Sequence, residues 1–308
     1  MNFEEFKQKK EQFLKYINVE RNLAQNTQRA YAGDLNQFIE FWQDLTEEEK
    51  QLLPIRQIIE RFLVSLFYKN IDKASIARKF SCFTSFEKFL QTQNINLSLQ
   101  LTRPRLDKKL PVYLSMEEIT HLLDEIQVQD LPSKRPYRDK AILEVLYATG
   151  VRCSELVSIS INDIDFTNKT IRIFGKGRKE RITLFGDKAK KAILNYLQLE
   201  RPEIKNNNEK LFLNYRKGPL TSRSVQRVLE MFRSFLNIGR ALTPHKIRHT
   251  FATHLLNQGT DLRIVQELLG HKALSSTEKY THVSLGELKK TCEKTNPFDS
   301  LIKSDKKE

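Results

Sequence analysis

The stretch KTIRIFGKGRKERITLF, Lys169 to Phe185, breaks the rhythm of the chain around it. Ile171 and Ile173 alternate with polar residues, and beyond GKGRK the alternation resumes with Ile182 and Leu184. A period of two on both sides of a glycine-containing turn predicts a β-hairpin. The flanking sequence has helical period. The expected class is therefore mainly α, with a small β-hairpin or sheet set in a mixed α/β second half. At the tip Lys176 stands between two glycines and is followed by Arg178 and Lys179, so the hairpin ends in a flexible, basic reach.

Upstream of the hairpin, SMEEITHLLDEI opens a helix with a capping box of Ser115 and Glu118. RDKAILEVLYATG follows, with Ile142, Leu143, Leu146 and Tyr147 on one face and Gly150 as a natural stop, so Arg152 falls just past a helix end. Before these, TRPRLDKKLP has two prolines, a basic run and no periodicity, and reads as a linker over 102–111. A solvated connector and a strap along phosphates through Arg103, Arg105 and Lys108 are both open readings. From 1 to 101 the pattern is helical throughout, as in FEEFKQKKEQFLKYI and NTQRAYAGDLNQFIEFW, the latter capped by Asn26 or Thr27. Two more helices, over 55–67 and 75–90, complete a four-helix module whose aromatics keep core spacing. The expected organisation is thus a helical domain over 1–101, the linker, a second domain over 112–298 and a disordered tail over 299–308.

Composition narrows the partners. With 52 Lys and Arg against 38 Asp and Glu, the formal charge is +14 and is spread along the 308 residues, which favours a polyanion such as nucleic acid. Three cysteines without a CxxC pair do not make a disulfide framework. The first residues lack an apolar targeting region, and no window is apolar enough to span a membrane, so a cytoplasmic location is expected.

HKIRHTFATHLLNQG, His245 to Gly259, gathers three of the six histidines. Thr243 caps this helix and Pro244 suits its first position, which places His245 in the first turn, where free N–H groups favour an anion. Arg248 lies three residues on, beside a buried stripe of Ile247, Phe251 and Leu255. Zinc on His245 and His249 is disfavoured, since Lys246 and Arg248 add positive charge beside any cation. His249 and His254 read as core or capping residues. A further helix with Asp261 as cap and Leu262, Val265, Leu268 and Leu269 as stripe stops at Gly270, leaving His271 at its end. Ser275 and Glu278 open a short helix carrying Tyr280. Two arginines can fork onto one phosphodiester, a tyrosine oxygen can attack phosphorus while a histidine accepts its proton, and a lysine can protonate the leaving oxygen. Such a set requires no cofactor.

Four segments in this order and spacing, YATGVRCSELVSI, GKGRKER, TPHKIRHTFATHLLNQGTDLRIVQELLGH and SSTEKYTHVS, resemble the tyrosine recombinases of the phage integrase family, Xer type. NLAQNTQRAYAGDLNQFIEFW resembles that family's N-terminal, SAM-like core-binding bundle, and LTSRSVQRVLE leans toward the XerC branch over the XerD branch. The resemblance implies a catalytic set of Arg152, Lys176, His245, Arg248, His271 and the nucleophile Tyr280, without metal or ATP. Glu155 matches a supporting acidic position, a surface salt bridge being the equal alternative. It further implies two domains clamping duplex DNA at a dif-like site, with Arg103, Arg105, Lys108, Arg178 and Lys179 among the contacts. Four protomers would act together, shared with an XerD-like recombinase or with copies of this chain, under a DNA translocase of the FtsK type. Chromosome-dimer resolution is the expected role; a plasmid or mobile-element recombinase and a catalytically idle DNA-binding protein are the alternatives.

Overall fold

The computed structural model describes residues 1–99, 113–175, 180–201 and 209–270. The chain divides into two compact units, Met1–Leu110 and Pro111–Glu308.

In the first unit the helices are α1 (Phe3–Val19), α2 (Gln25–Gln43), α3 (Glu47–Leu52), α4 (Ile55–Tyr68) and α5 (Lys73–Thr92). Asn2 and Glu5 form a capping box that starts α1. The four expected helices are present, and α3 is an addition. Its six residues are too few to show an apolar stripe, and it is held by Thr46 and Glu49 in a capping box. The start of α2 also differs: Ala24 occupies the N-cap without a side-chain bond, in place of Asn26 or Thr27. The aromatics make the core. Phe38 lies in contact with Phe6, Trp42, Phe62 and Phe83, mostly edge to face. Within this apolar stripe α2 also buries Asp34, which accepts from Lys79 Nζ at 2.7 Å and from Arg78. Both Asp34 and Lys79 are almost fully buried, and each charge is compensated by the other together with Arg78 on the carboxylate and Gln37 Oε1 on the ammonium.

The second unit contains α6 (Met116–Thr120), which widens into one π turn at His121–Glu125, then α7 (Pro136–Thr149) and α8 (Cys153–Ser158). Strands β1 (Ile164–Asp165), β2 (Thr170–Phe174) and β3 (Glu180–Leu184) form an antiparallel sheet in that order. Helices α9 (Asp187–Leu199), α10 (Ser222–Phe235), α11 (Pro244–Asn257) and α12 (Leu262–Leu269) complete it. Helix α7 is the hub, packed against α8, α9, α10, α11 and β3. It is buried all round from Asp139 to Tyr147, not on a single face, and even Lys140 and Glu144 lie inside.

The expected hairpin forms, and on β3 the buried face is not the apolar one. Ile171 pairs with Thr183 and Ile173 with Arg181. Residues directly opposite share a face, so β3 turns Thr183 and Arg181 inward while Ile182 is exposed. The inward polar groups find partners: Thr183 donates to Thr149 O at 3.4 Å and Arg181 binds Glu155. On α12, Leu262 is exposed, because it sits at the first position beyond the Asp261 cap, whereas Val265, Leu268 and Leu269 are buried as expected.

Candidate active site

Three helix ends converge in the second unit. Helix α7 stops at Gly150 in the left-handed conformation, φ +58°, and the next turn of chain brings Arg152 to the N-cap of α8. Thr243 caps α11 by accepting from Lys246 N, with Pro244 at the first helical position, so His245 is exposed in the first turn and Arg248 lies one turn deeper. Helix α12 stops at Gly270, φ +64°.

Arg248 is buried, 7% exposed, and spans two of these ends. Its Nη1 donates to Gly150 O and its Nη2 to Leu269 O, both at 2.6 Å. Arg152 Nη2 reaches Gly270 O at 3.5 Å, the outer limit of a hydrogen bond. The two guanidinium groups are therefore anchored on adjacent carbonyls. Such carbonyls have no partner inside their own helix and form its negative end, which suits cations.

Glu155 is 4% exposed, which rules out the surface-pair alternative. Its Oε2 accepts from the Arg152 backbone N at 2.8 Å and its Oε1 from Arg152 Nη1 at 2.9 Å. Arg181, from β3, adds bonds of 3.0 and 2.7 Å to the same two oxygens. Burial pushes this carboxyl up, yet the bonds from Arg181 and Arg152 overcome it and hold Glu155 at about 2. Burial and then the neighbouring Arg152 push Arg248 down to about 10, so it remains charged at neutral pH. Among the described residues, three guanidinium groups here face one carboxylate, leaving a surplus of positive charge for an anion.

The other histidines of α11 separate cleanly. His254 is core: its ring pairs with Tyr147 Oη and with Leu114 O, both at 2.9 Å, and burial lowers its basicity. His249 is half-buried. The structure thus brings Arg152, Arg248 and Glu155 together, with His245 at the start of the helix that carries Arg248. Lys176, His271, Tyr280, Arg103, Arg105, Lys108, Arg178 and Lys179 lie outside the described residues, as do the expected linker and tail.

The phage integrase family matches residues 113–287, and the phage integrase N-terminal SAM-like domain matches residues 11–94. The chain belongs to the phage integrase family. This recombinase is of the Xer type, and a site-specific DNA cutting-and-rejoining enzyme. The tyrosine recombinase XerC of Oceanobacillus iheyensis is 39% identical over 293 residues, covering 92% of this chain and 94% of its own. The tyrosine recombinase XerD of Staphylococcus haemolyticus is 37% identical over 296 residues, covering 93% of this chain and 98% of its own. Among solved structures, the XerH site-specific recombinase bound to its difH substrate in a pre-cleavage complex is 25% identical, with a TM-score of 0.65, covering 92% of this chain and 83% of that one. No helix among the described residues of the recombinase is long and apolar enough to cross a membrane.

Reading the sequence missed Arg181 and the α12 carbonyls. Arg181 carried one usable signal, its register opposite the buried Ile173, which would have aimed it inward had the hairpin been paired residue by residue.

Proposed function

We propose that this recombinase cuts one strand of a dif-like duplex site by direct transesterification. Arg152 and Arg248 hold the non-bridging oxygens of the scissile phosphate, and His271 adds a hydrogen bond. Tyr280 Oη attacks phosphorus as His245 accepts its proton. The new bond is P–Oη, the broken one P–O5′, and Lys176 returns a proton to the departing 5′ oxygen. The product is a 3′-phosphotyrosine and a free 5′-hydroxyl, so the energy of the broken ester is kept in the new one and the exchange reverses with another strand's hydroxyl. Glu155 sets the orientation of Arg152.

The observation that carries this reading is the seating of Arg152 and Arg248 on the adjacent carbonyls of Gly270 and Leu269. Two forked donors from separate helices, with surplus positive charge around them, suit an anion presenting two oxygens. The relatives support the substrate: XerH was solved on difH DNA. By the same likeness, Arg103, Arg105, Lys108, Arg178 and Lys179 contact the DNA backbone, and four protomers exchange strands through a Holliday junction. An XerD-like recombinase or further copies of this chain share the tetramer, and an FtsK-type translocase activates it. The biological task is resolution of chromosome dimers before cell division, in the cytoplasm, with this chain in the XerC position.

Covalent trapping tests it. The full chain is incubated in EDTA with a nicked duplex bearing a dif-like site, with and without a partner recombinase, beside Tyr280→Phe. The expected result is a protein–DNA band on a denaturing gel from the unmutated chain alone, while Tyr280→Phe still binds the duplex. An equal band from Tyr280→Phe would refute the assignment of the nucleophile.

A further inference from the structure

Three successive carbonyls at the end of α12 each receive a different arginine. Leu268 O accepts from Arg181 Nε at 3.1 Å, Leu269 O from Arg248 and Gly270 O from Arg152. The three side chains come from β3, α11 and the start of α8, elements far apart in sequence. Arg181 alone among them covers both oxygens of Glu155 with its guanidinium, while Arg152 meets the same oxygens with its backbone N and its Nη1. Gly270 packs tightly here, since a Cβ on it would lie 3.1 Å from Arg181 Cδ.

We propose that Arg181 is a positioning residue for strand cleavage, fixing Glu155 and the end of α12 as one unit so that Arg152 and Arg248 are oriented before DNA arrives. This rests on the reading that those two arginines hold the scissile phosphate. The geometry favours it over a purely structural tie. A guanidinium that fills both carboxylate oxygens leaves Arg152 one preferred orientation, with a fork that lysine cannot copy. Arg181 also meets the last turn of α12 directly before the segment containing His271 and Tyr280. Orientation set in advance lowers a barrier without strengthening ground-state binding.

The test is single-turnover cleavage of the nicked duplex at saturating protein by Arg181→Ala and Arg181→Lys, with affinity for unnicked duplex and melting temperature measured alongside. Cleavage is expected to fall about 10- to 100-fold in Arg181→Ala, with affinity within a few-fold and Arg181→Lys in between. The pH profile is the second readout. Glu155 is faced by Arg152 from α8, Arg181 from β3 and Arg248 from α11. Without Arg181, burial acts against fewer compensating bonds, so the carboxylate protonates at higher pH and the acid-side loss of cleavage moves upward. Unchanged cleavage and pH profile in a folded variant would overturn the proposal. So would loss of affinity and melting temperature in proportion to cleavage in both variants, which is the mark of a structural tie. If the unmutated chain forms no adduct, the phosphate reading falls first and this inference with it. An adduct from the unmutated chain that Arg181→Ala forms equally fast removes the inference alone.

Discussion

Gly150 ends α7 at φ +58° with its carbonyl on Arg248, and a Cβ there would sit 2.4 Å from Phe251 Cδ1 and 2.9 Å from Leu269 Cδ2. Left-handed backbone costs a residue with a Cβ about 1–2 kcal/mol, and overpacking adds about 1–3 kcal/mol. Gly150→Ala should therefore lower unfolding stability by about 2–5 kcal/mol, read from urea denaturation, and displace the anchor of Arg248. Adduct formation per folded molecule should fall as well; a variant that loses stability but cleaves normally would detach Gly150 from the site. Arg248 itself was legible as a candidate because it lies one turn from His245, beside the stripe of Ile247, Phe251 and Leu255. The carbonyls that hold it were not, since every residue has one and only the folded path decides which are left unpaired.

At the level of elements, helices and their stops were readable because capping boxes and glycine stops are local chemistry, as at Ser115–Glu118, Thr243, Gly150 and Gly270. Errors came where tertiary partners overrode local pattern. The alternation through Ile182 and Leu184 revealed the strand but not its buried face: the inward places on β3 belong to Thr183 and Arg181, which meet Thr149 O and Glu155. Asp34 went unnoticed on α2 for the converse reason: a carboxylate in an apolar stripe makes sense once Lys79 and Arg78 of α5 lie beside it. That pair yields a prediction for the first unit. Asp34→Ala leaves a buried ammonium with Gln37 Oε1 but no counter-charge and should cost about 3–5 kcal/mol in denaturant unfolding, whereas Asp34→Leu combined with Lys79→Met should recover most of the loss. A double variant as unstable as the single one would show that the pair contributes more than mutual neutralisation.

For the whole molecule, the dominant quantity is charge. A chain of +14 that neutralises six or more phosphates should lose roughly a thousandfold or more in DNA affinity between about 50 and 200 mM salt. A binding titration of Tyr280→Phe across that range checks this without interference from cleavage, and a flat response would exclude extensive phosphate contact. The class of fold was legible at this scale because the switch from helical to strand period occurs over a few residues in a long chain, while the assembly of the site required segments more than a hundred residues apart to meet at α12. The carbonyl seats of Leu268, Leu269 and Gly270 also bear on how such enzymes can be recombined with one another. Apart from Gly270, whose left-handed backbone and close approach to Arg181 favour glycine, their demand is on backbone path and not on side-chain identity, so a chimera spliced after Gly270 is expected to keep the three carbonyls in place. A splice that adds or removes one residue within α12 would rotate its end by about 100° and unseat all three together.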